Sequence, residues 1–324
     1  SLGATILLFD GFPLYKKNDL LFQFASEEEI TLFGISAKYI DTLNNKKTNP
    51  KKNYDFPKLR TICSTGSPLS EDGFNYIYKN IKSDVHVSSI SGGTDILSCF
   101  VLGNIFQPVY KGEIQNRGLG MDVDIFDEKG TAIKNKKGEL VCKKPFPSMP
   151  IKFWDDIDGK KYHKAYFSKF KNIWHHGDYI ERTSNNGFIM RGRSDATLNP
   201  GGVRLGTSEI YQQVEDIDFI TEGLVVGQDY KDDVRIILFV TTKNNQELDE
   251  EKIKLIKMRI RKNCSPKHVP SLIIKAPEIP RTKSGKIVEL AVKKVINKEK
   301  LNNLEAIANP KSLDFFKNLP QLKI

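Results

Sequence analysis

Residues 59–90 read LRTICSTGSPLSEDGFNYIYKNIKSDVHVSSI. Leu59 to Cys63 is a β-prone run, and Gly66-Ser67-Pro68 punctuates it with a turn. Ser70 followed by Glu71 and Asp72 marks a helix start, since a serine hydroxyl accepts a first-turn N–H and acids favour the positive end of the helix dipole. That helix is predicted through about Ile81, and Val85 to Ile90 reads as a strand again. Strand, helix and strand in succession predict a mostly parallel sheet with helices packed over it.

The same rhythm extends upstream. Ala4 to Phe9 is an apolar run closed by Asp10-Gly11 and predicts a buried strand. Residues 18–28 carry a helical pattern, Ile30 to Phe33 a strand, and Ser36 caps a helix through Asp41. Asn44 to Asn53 is a polar, lysine-rich surface loop.

Beyond Gly93 the texture changes. Short strands are predicted at 97–102, 121–126, 138–142, 178–182 and 187–191, with turns at 127–130 and 185–187. This is antiparallel material, a small barrel or a distorted sheet. The prolines of residues 144–150 exclude regular structure there. A third texture begins near 195. It predicts a helix over 207–216 capped by Thr207 or Ser208, strands at 224–227 and 234–241, a basic amphipathic helix over 249–263, a strand at 271–275 and a helix over 286–298. A domain boundary is expected at about 194–196, giving units 1–194 and 195–324 of mixed α/β and α+β character.

Composition bounds the function. The 324 residues are 39% hydrophobic and 28% charged, enough for real cores without disulfide or metal staples. No run approaches the ~18 apolar residues of a membrane span. The formal charge of +10 comes from scattered lysines, which read as solvated surface. No basic stripe interleaved with aromatics appears, so no nucleic acid partner is expected. Cys63, Cys99, Cys142 and Cys264 lie far apart without a C-x-x-C pair, which argues against structural zinc and for a reducing, cytoplasmic location. The start, Ser1 to Thr5, has no signal-peptide pattern. Without a methionine it reads either as a processed end or as the beginning of a piece of something longer.

Several segments have the residue types for phosphate chemistry. Pro280-Arg281-Thr282-Lys283-Ser284-Gly285-Lys286 is a basic loop able to present an ammonium at its tip. Ser91-Gly92-Gly93-Thr94-Asp95 follows a strand, where glycines permit close approach to a phosphate, a threonine can hold an oxygen and a carboxylate can hold magnesium. Asp178, after Gly177, is a carboxylate able to accept two hydroxyls of a ribose. Each segment alone is matched by a bland reading as an ordinary turn.

Their order is distinctive. Gly66-Ser67-Pro68, Thr94-Asp95, Gly138-Glu139-Leu140, Gly177-Asp178, Gly192-Arg193-Ser194-Asp195 and Pro280 to Lys286 resemble, in sequence, the motifs of the adenylate-forming superfamily of acyl-CoA synthetases. The likeness covers the whole chain. Residues 89–95, 144–150 and 315–318 look closest to its acetoacetyl-CoA synthetases. The resemblance implies that ATP, magnesium, acetoacetate or a similar short acid, and coenzyme A meet in two steps: acyl-adenylate formation, then transfer to the thiol. It implies that Gly66, Ser67 and Pro68 border adenine, Thr94 contacts phosphate and Asp95 binds the metal. Asp178 would accept the ribose hydroxyls with Arg193 in support, and Arg204 would approach the phosphates. Lys286 would be catalytic, and Asp195 the hinge of a mobile lid, residues 195–324.

The sequence departs from the family pattern at Ser67 and Asp95, where relatives more often carry glutamate. Gly92, beside Gly93 at the acyl pocket, stands where acetyl-specific relatives have tryptophan, which implies room for a four-carbon keto acid. The family's Ser/Thr/Gly-rich phosphate loop has no match here. The chain is therefore expected to be the carboxy-terminal half of a longer enzyme, partnered by a missing amino-terminal half and inactive alone. The alternatives are a split or degenerate module that holds AMP or coenzyme A without adenylation, and a synthetase for another short acid.

Overall fold

The computed structural model describes residues 3–231, 233–283, 285–301 and 304–322. It separates into two compact units, Ser1–Leu119 with Asn185–Phe188, and Gly120–Ser184 with Ile189–Ile324. The expected boundary at 194–196 lies inside the second unit.

The first unit contains α1 (Leu20–Glu27), β1 (Leu32–Ser36), α2 (Ala37–Asn45), β2 (Thr61–Thr65), α3 (Glu71–Asn80) and β3 (His86–Ser89). The strands form the predicted parallel sheet in the order β1-β2-β3. Ser36 and Ser70 cap α2 and α3 as expected, accepting from the amides of Tyr39 at 3.2 Å and Gly73 at 3.0 Å. Phe22 of α1 is fully buried among Phe33, Tyr39 and Phe56. After β3, the strands β4 (Ser91–Gly93), β5 (Ser98–Leu102) and β6 (Asn116–Arg117) make a separate antiparallel sheet.

The second unit begins with β7 (Val123–Phe126), β8 (Lys137–Cys142), α4 (Lys160–Tyr166), β9 (Trp174–Arg182) and β10 (Phe188–Arg193), whose first residue belongs to the first unit. These strands form an open sheet, β10-β9-β8-β7, and do not close into a barrel. Then come α5 (Thr207–Val214), β11 (Ile220–Tyr230), β12 (Asp233–Thr242), α6 (Glu250–Asn263), β13 (Leu272–Lys275) and α7 (Glu289–Ile296). The sheet β11-β12-β13 is apolar on both faces because each face has its own helices. Leu224, Val226, Ile237 and Phe239 pack with Val292 and Ile296 of α7, and Val225, Ile236, Leu238 and Val240 with Ile210, Ile256 and Ile260 of α5 and α6. Both clusters draw on residues 198–322 alone.

Four local expectations change. Residues 4–9 form no strand: no neighbouring strand pairs with them among the described residues, and Ile6 and Leu8 are 78% and 85% exposed. The cap of α5 is Gly206, whose N–H donates to the Glu209 carboxylate at 3.0 Å, so neither Thr207 nor Ser208 serves. The last helix starts at Glu289, because Ile287 is held in a β-bridge to Arg281. Strand β9 begins at Trp174, four residues before the expected start. A Phe22→Ala variant should lose about 3–5 kcal/mol of unfolding free energy in urea titrations, since three aromatic neighbours would line the void.

Candidate functional site

In the first unit, β2 and β3 run parallel with Ser64 opposite Ser89, so both carboxyl ends open on one edge of the sheet. The Gly66-Ser67-Pro68 turn leaves from one, with Gly66 at φ +89°, and Ser91 to Asp95 leave from the other. Ser67, Pro68, Thr94 and Asp95 are all exposed. Thr94 and Asp95 sit in the β4–β5 hairpin, where the Thr94 carbonyl accepts the Leu97 N–H at 3.2 Å. Gly93 pairs with Ser98. At Gly92 a Cβ would lie 2.0 Å from the Ser98 carbonyl oxygen and 2.7 Å from Cys99 Cα. The close pairing of β4 with β5 thus requires glycine there, whatever the ligand.

In the second unit, Asp178 is buried on β9, and its Oδ1 accepts from Arg193 Nη1 of β10 at 3.0 Å. Gly177, at φ +80°, leaves space for this guanidinium: a Cβ there would stand 2.7 Å from Arg193 Nη2. His176 Nε2 lies 3.7 Å from Asp178 Oδ2. Arg193 Nε also lies 3.6 Å from exposed Asp195. Asp178, Arg193 and Asp195 therefore lie together.

Arg204 is not part of this group. Its guanidinium lies 4.4 Å from the Tyr179 ring centroid and donates to Glu139 Oε1 at 2.7 Å and Thr197 Oγ1 at 3.1 Å. The 280–286 loop is a tight hairpin. Thr282 N–H donates to the Lys286 carbonyl at 2.8 Å, Lys286 N–H to Thr282 Oγ1 at 3.0 Å, and Arg281 anchors the base on Glu222 at 2.6 Å. Lys286 is exposed, and Ser284 lies outside the described residues.

Two acids carry structure that their sequence context did not assign. Glu139, on β8, has 0% exposure and four side-chain donors: Lys169 at 2.6 Å, His175 at 2.9 Å, Arg204 and Ser194. Burial pushes its carboxyl up, but His175, Lys169, Ser194 and Arg204 more than offset it and hold the group well below the usual carboxylate range. The available signal was a charge beside the apolar run Leu140-Val141-Cys142, which a buried strand tolerates only with partners. Glu289, in the first turn of α7, meets the Tyr211 hydroxyl. Burial pushes its carboxyl up to about 7, partly opposed by hydrogen bonds from Tyr211 and Thr207. An acid at a helix start gave no hint of this.

No family model matches the chain. An acetoacetyl-coenzyme A synthetase of Rhizobium meliloti (strain 1021) is 53% identical over 323 residues, covering 100% of this chain and 50% of the relative. An acetoacetyl-CoA synthetase of Xenopus tropicalis is 46% identical, covering 99% and 48%. The solved acetoacetyl-CoA synthetase of Streptomyces lividans superposes with a TM-score of 0.88 at 38% identity, covering 95% of this chain and 48% of that one. An anthranilate CoA ligase in complex with anthranoyl-AMP, at 18% identity and a TM-score of 0.72 over 88% of this chain and 53% of its own, shares the fold. The chain spans about half the length of the curated relatives it matches. Along its whole length it is homologous to acetoacetyl-CoA synthetases, and it has the fold of adenylate-forming CoA ligases.

Two outcomes follow from the geometry. Gly92→Ala should cost about 2 kcal/mol, read as a lowered denaturant midpoint, because the Cβ meets backbone and not a flexible side chain. For Glu289 the folded pKa is raised, so its protonated form is favoured in the fold. Its contribution is fully present below the ordinary carboxyl pKa of about 4.3 and declines as pH rises towards about 7. Glu289→Gln should therefore raise the melting temperature at pH 8 and leave it nearly unchanged at pH 4.

Proposed function

We propose that the chain is one half of a ligase that joins acetoacetate, or a closely similar short acid, to coenzyme A at the expense of ATP. The observation that carries this reading is identity of 41–53% to proteins named acetoacetyl-CoA synthetases, sustained along essentially all of this chain. The pairing of Asp178 with Arg193 supports it locally.

The chemistry proceeds in two displacements. A carboxylate oxygen of the acid attacks the α-phosphorus, the α–β phosphoanhydride breaks, and pyrophosphate leaves. The thiolate of coenzyme A then attacks the acyl carbon, a thioester bond forms and AMP departs with the carboxyl oxygen. In this reading Asp178 accepts the ribose hydroxyls, with Arg193 steadying its free orientation. Gly66, Ser67 and Pro68 border the adenine, Thr94 holds a phosphate oxygen, and Gly92 and Gly93 form part of the acyl wall. Lys286 offsets the negative charge that gathers as two anions meet, a task suited to a compact ammonium on an exposed loop. Arg204 approaches the phosphates only after leaving Glu139. Residues 195–324 move about Asp195 between the two steps.

Asp95 is a hard oxygen donor on an exposed turn, and no cluster of three or more metal-ligating side chains exists among the described residues. That fits magnesium held by one carboxylate and the substrate's phosphates. When bound, magnesium would neutralise triphosphate charge.

The chain's extent of about half its relatives favours a second element of the proposal: the β- and γ-phosphate clamp comes from the other half. The exposed, unpaired run Ile6 to Phe9 suits that partner as a strand-forming segment. Alone, the chain then holds nucleotide without activating the acid. ATP–pyrophosphate exchange with acetoacetate is the test. The isolated chain should be silent, and co-expression with the amino-terminal half of the Rhizobium relative should restore exchange. Lys286→Ala in that assembly should lower exchange by about 10²-fold or more. Normal turnover from the isolated chain would sink the two-half reading, and a silent assembly would sink the ligase reading.

A further inference from the structure

Ser194 and Arg204 stand on either side of Asp195 in the sequence, and both donate to the buried Glu139 carboxylate, Ser194 to Oε2 and Arg204 to Oε1. Two residues earlier on β8, Lys137 reaches Glu209 Oε1 at 2.5 Å. Alternate residues of a strand share a face. One face of β8 therefore holds the 194–209 segment by two ion pairs of opposite polarity. On the strand, the acid meets a cation of the segment and the cation meets its acid.

Each carboxylate also has partners on its own side of Asp195. Without Arg204, Glu139 keeps Lys169, His175 and Ser194, all of which precede the pivot. Without Lys137, Glu209 keeps the Gly206 N–H at 3.0 Å and faces His268 at 3.6 Å, both of which follow it. Breaking a buried ion pair is costly when one charge is left alone. Here separation leaves neither acid alone. The body that would depart also carries its own hydrophobic clusters, from residues 198–322.

We propose that Glu139 is the positioning residue of the hinge: it holds Arg204 on β8 in one orientation of residues 195–324, and Lys169 keeps the carboxylate paired when Arg204 leaves. This rests on the reading that these residues move about Asp195. Lys169 and Arg204 share one oxygen, Oε1, at 2.6 and 2.7 Å. They therefore act in opposite senses on the same equilibrium. Losing Arg204 weakens the held orientation. Losing Lys169 leaves the released orientation short of a cation and strengthens the hold.

Hydrogen exchange on this chain, read by mass spectrometry on peptides spanning 194–209, tests this. Peptides of β11 and β12 report global opening. Arg204→Met should speed exchange of 194–209 by about fivefold or more with β11 and β12 unchanged. Lys169→Met, at a partly exposed site, should slow it by a similar factor. Same-sign effects, no effect of either variant, or changes spread equally into β11 and β12 would overturn the proposal. No step of the measurement depends on ligase activity, so failure of the ligase reading and failure of the hinge reading are separable.

Discussion

A fully buried carboxylate organises the second unit. Glu139 sits on β8 between apolar neighbours, where an unpaired charge would cost several kcal/mol after relaxation. The chain meets that cost by converging on it: Lys169 and His175 from the lead-in and start of β9, Ser194 from the end of β10, and Arg204 from the segment beyond Asp195. An apolar residue of similar size could fill the same volume. It could not connect three separated parts of the chain at one point. The charge thus acts less as a source of stability than as a fixed address for segments that must find each other.

Much of the architecture was legible because local signals agreed with one another. Ser36 and Ser70 were readable as caps because a hydroxyl before a helical run has one strong local use. The parallel sheet was readable because strand and helix alternated. The error at residues 4–9 has the opposite origin. Their apolar pattern states a preference for strand, but pairing is a property of a neighbour, and none is present among the described residues. The cap of α5 escaped because Gly206 has no side chain to announce it, and the acceptor lies three residues downstream in Glu209.

The site was legible as an order of motifs more than as geometry. Gly177-Asp178 and Gly192-Arg193 lie 15 positions apart in the sequence, and only the sheet brings Arg193 to Asp178. Gly92 carries another lesson. Its lack of a side chain reads as space for a ligand, yet the backbone of Ser98 and Cys99 already occupies the direction a side chain would take. Arg204 shows the same limit of one-dimensional reading, since its partners Glu139 and Tyr179 lie 65 and 25 positions away in the chain.

The two-faced sheet of β11, β12 and β13 has an evolutionary consequence. A segment that builds both of its cores from its own residues, 198–322, brings its foldability with it wherever it is joined. Recombination near residue 195 could therefore exchange this segment among distant relatives without scrambling either interior. The surfaces that touch β8 would then be the places where compatibility has to be relearned.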